Sequence, residues 1–155
     1  MKIGIKKFSK ILLILLIIFT VASIFMQSTK SKEESKSDSD KVGEIIEEII
    51  PPETPAGDYV QTNLRKIAHF IEFFLLGIEV SLFVSLFHFS KIFVPSSLVF
   101  GLLVAAIDET IQIFSKRGPS VRDVMIDFSG FLVSALIIYT LSSLIKVISQ
   151  KRKQK

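Results

Sequence analysis

Four long apolar blocks constrain this chain more than any other feature of its sequence. They cover residues 8–26, 67–89, 92–114 and 124–148, and a helix needs about 20 apolar residues to cross the ~30 Å hydrocarbon core of a bilayer. A soluble domain of 155 residues would spread its apolar positions in amphipathic stripes instead of collecting them in blocks. Hydrocarbon offers the backbone no hydrogen-bond partners, so such blocks cross as helices. The expected class is all-α: an integral membrane four-helix bundle with a long extracytoplasmic first loop containing a short amphipathic helix.

The charges set the topology. Lys2, Lys6, Lys7 and Lys10 precede the first block, as in a signal peptide, but its end, ASIFMQS, lacks a small-x-small cleavage site and reads as an uncleaved anchor. An even number of spans places both ends on one side. The N-terminal tail is basic with no acid, and the C-terminal end carries Lys146, Lys151, Arg152, Lys153 and Lys155. Dense basic tails favour the cytoplasm. The net charge of +4 then reflects topology and lipid headgroups, and no nucleic-acid partner is expected. The chain has no cysteine, which excludes disulfides, thiolate nucleophiles and zinc–thiolate sites. The second and third spans form an antiparallel hairpin around Ser90 and Lys91. SKRGPSVRD joins the third to the fourth, with a tight turn at Gly118 and Pro119.

Residues 27–64 are the longest non-apolar stretch. STKSKEESKSDSD has the composition of a flexible linker. Beyond it Val42, Ile45, Ile46, Ile49 and Ile50 fall on one helical face and Glu44, Glu47 and Glu48 on the other. This predicts an amphipathic helix over 41–50, capped by Asp40 and stopped by Pro51 and Pro52. Its acidic polar face disfavours anionic lipid and favours docking onto the bundle.

Ionisable residues inside spans are costly and mark interior pairs or polar sites. The second span opens RKIAHFIEFFLLGIE, the third ends AAIDETIQIF and the fourth opens VRDVMIDFSGF. Alternation puts these three segments on the same side of the membrane. His69, Glu72, Asp108, Glu109, Gln112 and Asp127 therefore lie within about 10 Å of one face at 1.5 Å per residue. Arg65, Lys66, Lys116, Arg117 and Arg122 rim that region, and Glu79 lies deeper. The structural reading is an ion-pair network between these cations and Glu72, Asp108, Glu109, Asp123 and Asp127, with Gly77, Ser81, Gly130 and Ser134 allowing close helix packing. The functional reading assigns acid–base chemistry to His69, Glu72, Asp108, Glu109 and Asp127. The same imidazole and carboxylates suit a divalent cation, although no zinc-ligand spacing is present. Arg65, Lys66, Gln112, Arg117, Arg122 and Asp123 form the candidate binding set for a phosphate or carboxylate.

At these residues the chain resembles the VanZ-like family of bacterial membrane proteins. That family's pattern is K-x-x-H-F-x-E-[FY], then D-E-x-x-Q, then R-x-x-x-x-x-D-x-x-x-[DN]-x-x-G. Here it is met by Lys66, His69, Phe70, Glu72 and Phe73, by Asp108, Glu109 and Gln112, and by Arg117, Asp123, Asp127 and Gly130. MQSTKSKEESKSDS matches more loosely. The match covers most of residues 60–135. The expected organisation is a basic N-terminus and first transmembrane helix (1–26), an extracytoplasmic linker (27–64), a VanZ-like core of three transmembrane helices (65–148) and a basic cytoplasmic tail (149–155). The resemblance implies a bacterial cell-envelope protein and links it to low-level resistance to the glycopeptide teicoplanin.

Three functions fit. The first is an envelope enzyme or binding protein acting on a membrane lipid or lipid-linked envelope precursor at the outer leaflet. The second is a non-enzymatic binding or shielding protein, in which neutral isosteres at His69 are tolerated. The third is an accessory or transporter-like subunit, suggested by Glu79. Composition sets neither an oligomeric state nor a substrate.

Overall fold

The computed structural model describes residues 2–86, 93–115, 118 and 120–153. They form helices α1 (Lys2–Ser28), α2 (Lys32–Glu47), α3 (Pro55–Ser85), α4 (Phe93–Phe114) and α5 (Val121–Lys153), with no strand among the described residues. Helices α1, α3, α4 and α5 are each long and apolar enough to cross a membrane. The chain is a multi-pass membrane protein. The expected connection at Ser90 and Lys91, and Pro119 of the expected turn, lie outside the described residues.

Side-chain exposure follows the solvent the bundle meets. Leu15, Ile18 and Phe19 of α1, Leu102 and Leu103 of α4, and Leu136 and Ile145 of α5 are all exposed. Apolar surface of this extent belongs against lipid. The interior is built around α3, which touches every other helix. Phe73, Leu76, Val80 and Val84 of α3 pack with Val104 and Ala105 of α4, Phe131 and Ala135 of α5, and Ile24 of α1.

The closest pairing is α3 with α5. Lipid tails are as apolar as leucine, so helices in a bilayer gain little from hydrophobicity and associate through close packing. Both helices carry a glycine and a serine four residues apart on the facing side: Gly77 and Ser81 on α3, Gly130 and Ser134 on α5, all buried. Gly77 lies against Ser134 and the Phe131 backbone, and Gly130 lies against the Phe70 carbonyl. A methyl group at Gly130 would overlap that carbonyl oxygen. The small-residue faces expected from sequence are the ones the bundle uses.

The first loop departs from expectation. The stretch read as a flexible linker is helical: α2 begins at Lys32 and ends at Glu47, not at 41 and 50. The cap is Ser31, not Asp40. Its side chain accepts from the Glu34 backbone N–H at 3.2 Å while the Glu34 carboxylate accepts from the Ser31 N–H at 2.8 Å. This capping box satisfies two donors that a helix start leaves orphaned. Lys30 pairs with Asp38 at 2.6 Å across the first turns. The docked face also differs. Ile46 is half-buried, but Val42, Ile45 and Ile49 are exposed. Gly43 is buried instead, because its bare backbone admits α3, whose Gln61 donates to the Gly43 carbonyl at 3.1 Å. Helix α3 itself starts at Pro55, capped by Thr54, which accepts from the Gly57 N–H at 3.0 Å. At 31 residues it spans about 46 Å, more than a bilayer core, so its first turns project beyond the apolar zone and form the platform for α2.

Two predictions follow from these contacts. Helix propensity favours Ala over Gly by about 1 kcal/mol, yet Gly130→Ala should lower the thermal midpoint in detergent by several degrees, since overpacking costs about 1–3 kcal/mol. Gly118→Ala, where an added methyl meets nothing within 4 Å, should leave it unchanged.

The second concerns α2. The hydrogen bond from the Ser31 backbone holds the Glu34 carboxyl below its usual 4.5, and the hydrogen bond from Lys30 holds Asp38 below its usual 3.8. Depressed carboxyls stabilise the helix fully above those usual values and lose that contribution as pH falls through their lowered ones. A spin label at Lys36→Cys, in a chain with no other cysteine, should gain mobility on acidification through that range. At neutral pH it should also gain mobility in Ser31→Ala, since cap loss costs about 1 kcal/mol.

Candidate functional site

The polar residues meet where α1 and α4 end and α3 and α5 begin. Asp108 of α4 is fully buried, Asp127 of α5 is 1% exposed and Glu109 is 4% exposed. His69 of α3 stands between the two aspartates. Its Nδ1 is 3.8 Å from Asp108 Oδ2 and 3.5 Å from Asp127 Oδ1. The α3–α5 packing sets this placement: Phe73 and Phe131 are both fully buried, and His69 and Asp127 lie one turn before them on the same faces.

Each carboxylate has a different environment. Asp108 is fully satisfied, accepting from the Ser28 hydroxyl on one oxygen and from Gln112 Nε2 at 2.9 Å on the other. Gln112 in turn accepts from Arg65 Nη2 at 2.6 Å, so the guanidinium of α3 reaches Asp108 through an amide. Glu109 Oε2 accepts from the Ser120 backbone N–H at 2.7 Å, and its Oε1 has no donor. Ser120 also caps α5, its hydroxyl accepting from the Asp123 N–H at 3.3 Å. Neither oxygen of Asp127 receives a hydrogen bond. Among the described residues no lysine or arginine forms an ion pair with Asp108, Glu109 or Asp127. An anionic buried carboxyl without compensation is expensive, and among the described residues the cationic partner within reach of Asp108 and Asp127 is His69.

Two cavities open onto His69. The first, about 240 Å³, is lined by Arg65, Lys66, His69, Glu109, Gln112, Asp123 and Asp127, with Thr62, Asn63 and Ile126. It is below the ~300–1,000 Å³ of a drug-sized pocket but ample for one headgroup. The second, about 250 Å³, lies between the end of α1, helix α2 and α3, and reaches Arg65, His69 and Glu72 past Val42, Ile46, Leu64 and Ile71. His69 keeps 17% of its side chain exposed, enough to be reached from these spaces.

The residues singled out in the sequence are thus divided. His69, Asp108 and Asp127 cluster. Glu109, Gln112, Arg65, Lys66 and Asp123 line the first cavity beside them. Glu72 does not join the cluster: it opens to the second cavity and accepts from Gln27 of α1. Arg122 is exposed and outside the cavity lining, and Arg117 lies outside the described residues. Glu79 sits apart, accepting from Thr20 at 3.0 Å. Sequence reasoning passed over the contribution of α1. Buried Ser28 binds Asp108, and its carbonyl accepts from the Ser115 hydroxyl at 2.6 Å. The available signal was the polar pair Gln27-Ser28 closing an apolar run at the same face.

A family model described as VanZ/LLP1 matches residues 10–144, which takes in α2, α3 and α4 whole and most of α1 and α5. Neither the curated proteins nor the solved structures returned a match.

The role of α1 is open to a direct check. Ser28→Ala leaves a buried oxygen of Asp108 without its donor, which costs about 1–3 kcal/mol, and should lower the thermal midpoint by several degrees. Thr29→Ala, whose hydroxyl donates only to the Met26 carbonyl at an exposed position, should not. Fluorescence-detected size-exclusion after heating separates the two.

Proposed function

The chain belongs to the VanZ/LLP1 family, and from that membership and the site geometry we propose that it engages the anionic headgroup of a lipid-linked cell-envelope precursor. The observation that carries this reading is the convergence of His69, Asp108 and Asp127 from three helices beside a cavity lined by Arg65 and Lys66. With both basic ends in the cytoplasm, this face is the outer one. A precursor anchored by its lipid tail presents its phosphate at this depth, so a site set into the rim of a bundle meets it without extracting it from the membrane. The largely apolar second cavity, bounded by Ile67, Ala68 and Ile71 of α3, offers a lateral approach beneath α2.

In this reading Arg65 and Lys66, which line the first cavity, bind the phosphate. Arg65 is held in place by Gln112, which suits a guanidinium to bidentate contact. Gln112 and Asp123 line the same wall and orient the ligand. His69 with Asp108 and Asp127 is the reactive centre, Glu109 stands ready to exchange a proton, and Glu72 guards the second opening. Altered handling of an envelope precursor is the route by which such a protein would contribute to teicoplanin-type resistance.

The test uses expression in a susceptible Gram-positive host together with lipid extraction of the protein purified in mild detergent. The wild type should raise teicoplanin tolerance and carry a polyprenyl-phosphate species. His69→Ala and Asp108→Asn should reduce tolerance to the empty-vector level while remaining in the membrane fraction. Full tolerance in both variants would reject the assignment of the reactive centre. Unchanged tolerance in His69→Ala alone would favour a binding or shielding protein.

A further inference from the structure

We propose that His69, Asp108 and Asp127 are the ligands of a single first-row divalent cation. One ligand atom from each residue lies within 4.8 Å of the others. The separations from His69 Nδ1, 3.8 Å to Asp108 Oδ2 and 3.5 Å to Asp127 Oδ1, are close to the ~3.4 Å between ligand atoms held tetrahedrally by bonds of about 2.0–2.2 Å. Small side-chain rotations close the remainder.

Charge points the same way. Two carboxylates and an imidazole are withdrawn from solvent, and no lysine or arginine among the described residues pairs with either carboxylate. Both oxygens of Asp127, 1% exposed, lack a donor. A buried carboxylate left this way is as a rule neutralised or bound to a cation. Asp108 already has the support expected of a ligand, since Ser28 and Gln112 hold its two oxygens and such outer contacts orient metal-binding carboxylates. An independent observation lies in the adjoining cavity. Glu109 is 4% exposed, lines that cavity, and has an Oε1 without a donor. It lines the same cavity as His69 and Asp127, where it would act as a base toward a water on the cation.

The donor set selects the ion. One imidazole nitrogen and two carboxylates suit Zn²⁺ or Mn²⁺. Ca²⁺ takes 6–8 oxygens, more than this cluster supplies. Three protein ligands would leave the cation able to take a water or a phosphate oxygen as well, and His69 and Asp127 both line the first cavity. That last role rests on the headgroup reading above, while the cation site stands on the cluster alone.

The full-length chain, purified in mild detergent and stripped with EDTA, is titrated with ZnCl₂, MnCl₂ and CaCl₂ by calorimetry. One equivalent of Zn²⁺ or Mn²⁺ should bind saturably, and Ca²⁺ should not compete. Asp127→Asn and His69→Ala should weaken binding by more than about tenfold, the least that even an outer-contact change tends to cost. Glu79→Gln, remote from the cluster, should bind as the wild type does. If the cluster variants fail to fold, the wild type still decides: its Mn²⁺ complex should show ¹⁴N coupling from a bound imidazole by pulsed EPR. No stoichiometric binding, undiminished binding in both folded cluster variants, or an Mn²⁺ spectrum without nitrogen coupling would overturn the site. Polyprenyl-phosphate retention is scored separately on the stripped protein. Lipid retained without cation binding overturns the cation site alone, and cation bound without lipid overturns the headgroup reading alone.

Discussion

Carboxylates held at bilayer depth must find their compensation inside the protein, because hydrocarbon supplies neither water nor counter-ion. The rest of this structure is arranged around that requirement. Asp108 takes its donors from α1 through Ser28 and from its own helix through Gln112. Gln112 brings in Arg65 from α3, and Glu109 takes the backbone N–H that opens α5. Every membrane-spanning helix therefore contributes to one polar layer. Ser28 thus ties the end of α1 to α4 twice, by its hydroxyl to Asp108 and by its carbonyl to the Ser115 hydroxyl just past the end of α4.

Below that layer the bundle is held by shape. Gly77 and Gly130 let α3 and α5 approach until backbone meets side chain. The two helices run in parallel here, so this contact also sets register at the polar end. One turn before the buried pair Phe73 and Phe131, it places His69 opposite Asp127. A glycine in the middle of the membrane thus helps determine a distance at its surface. The apolar core does not discriminate between registers so sharply, because its Val, Leu and Ala side chains can interdigitate in more than one way.

Helix α2 is not among the helices apolar enough to cross a membrane, and it is held as a helix in water is: by a capping box and an ion pair in its first turns. It is attached to the projecting start of α3 by Gln61, which donates to the Gly43 carbonyl and, at 3.2 Å, to Glu47. Its inner face helps wall the cavity that leads to Glu72 and His69. Val42 and Ile45 remain exposed along its flank, and Ile49 just beyond its end.

Much of this is legible in the sequence. The apolar blocks determined the number of crossings, because length against bilayer thickness leaves little freedom. Alternation of spans determined that His69, Asp108 and Asp127 share one face. The spacing of Gly and Ser on the second and fourth spans marked the faces that approach. Only the tertiary structure decided the pairings. His69 turns to Asp108 and Asp127 and not to Glu72, Arg122 stays outside the cavity, and the end of α1 is a structural member of the site. Helical periodicity reports the depth and face of a residue on its own helix. Which group it meets depends on how neighbouring helices are rotated and crossed, and side-chain packing between them sets that. The start of α2 was missed for a related reason: a composition rich in Ser, Lys and acids reads as a linker until Ser31 and Glu34 are seen to satisfy each other's backbone and Lys30 to reach Asp38.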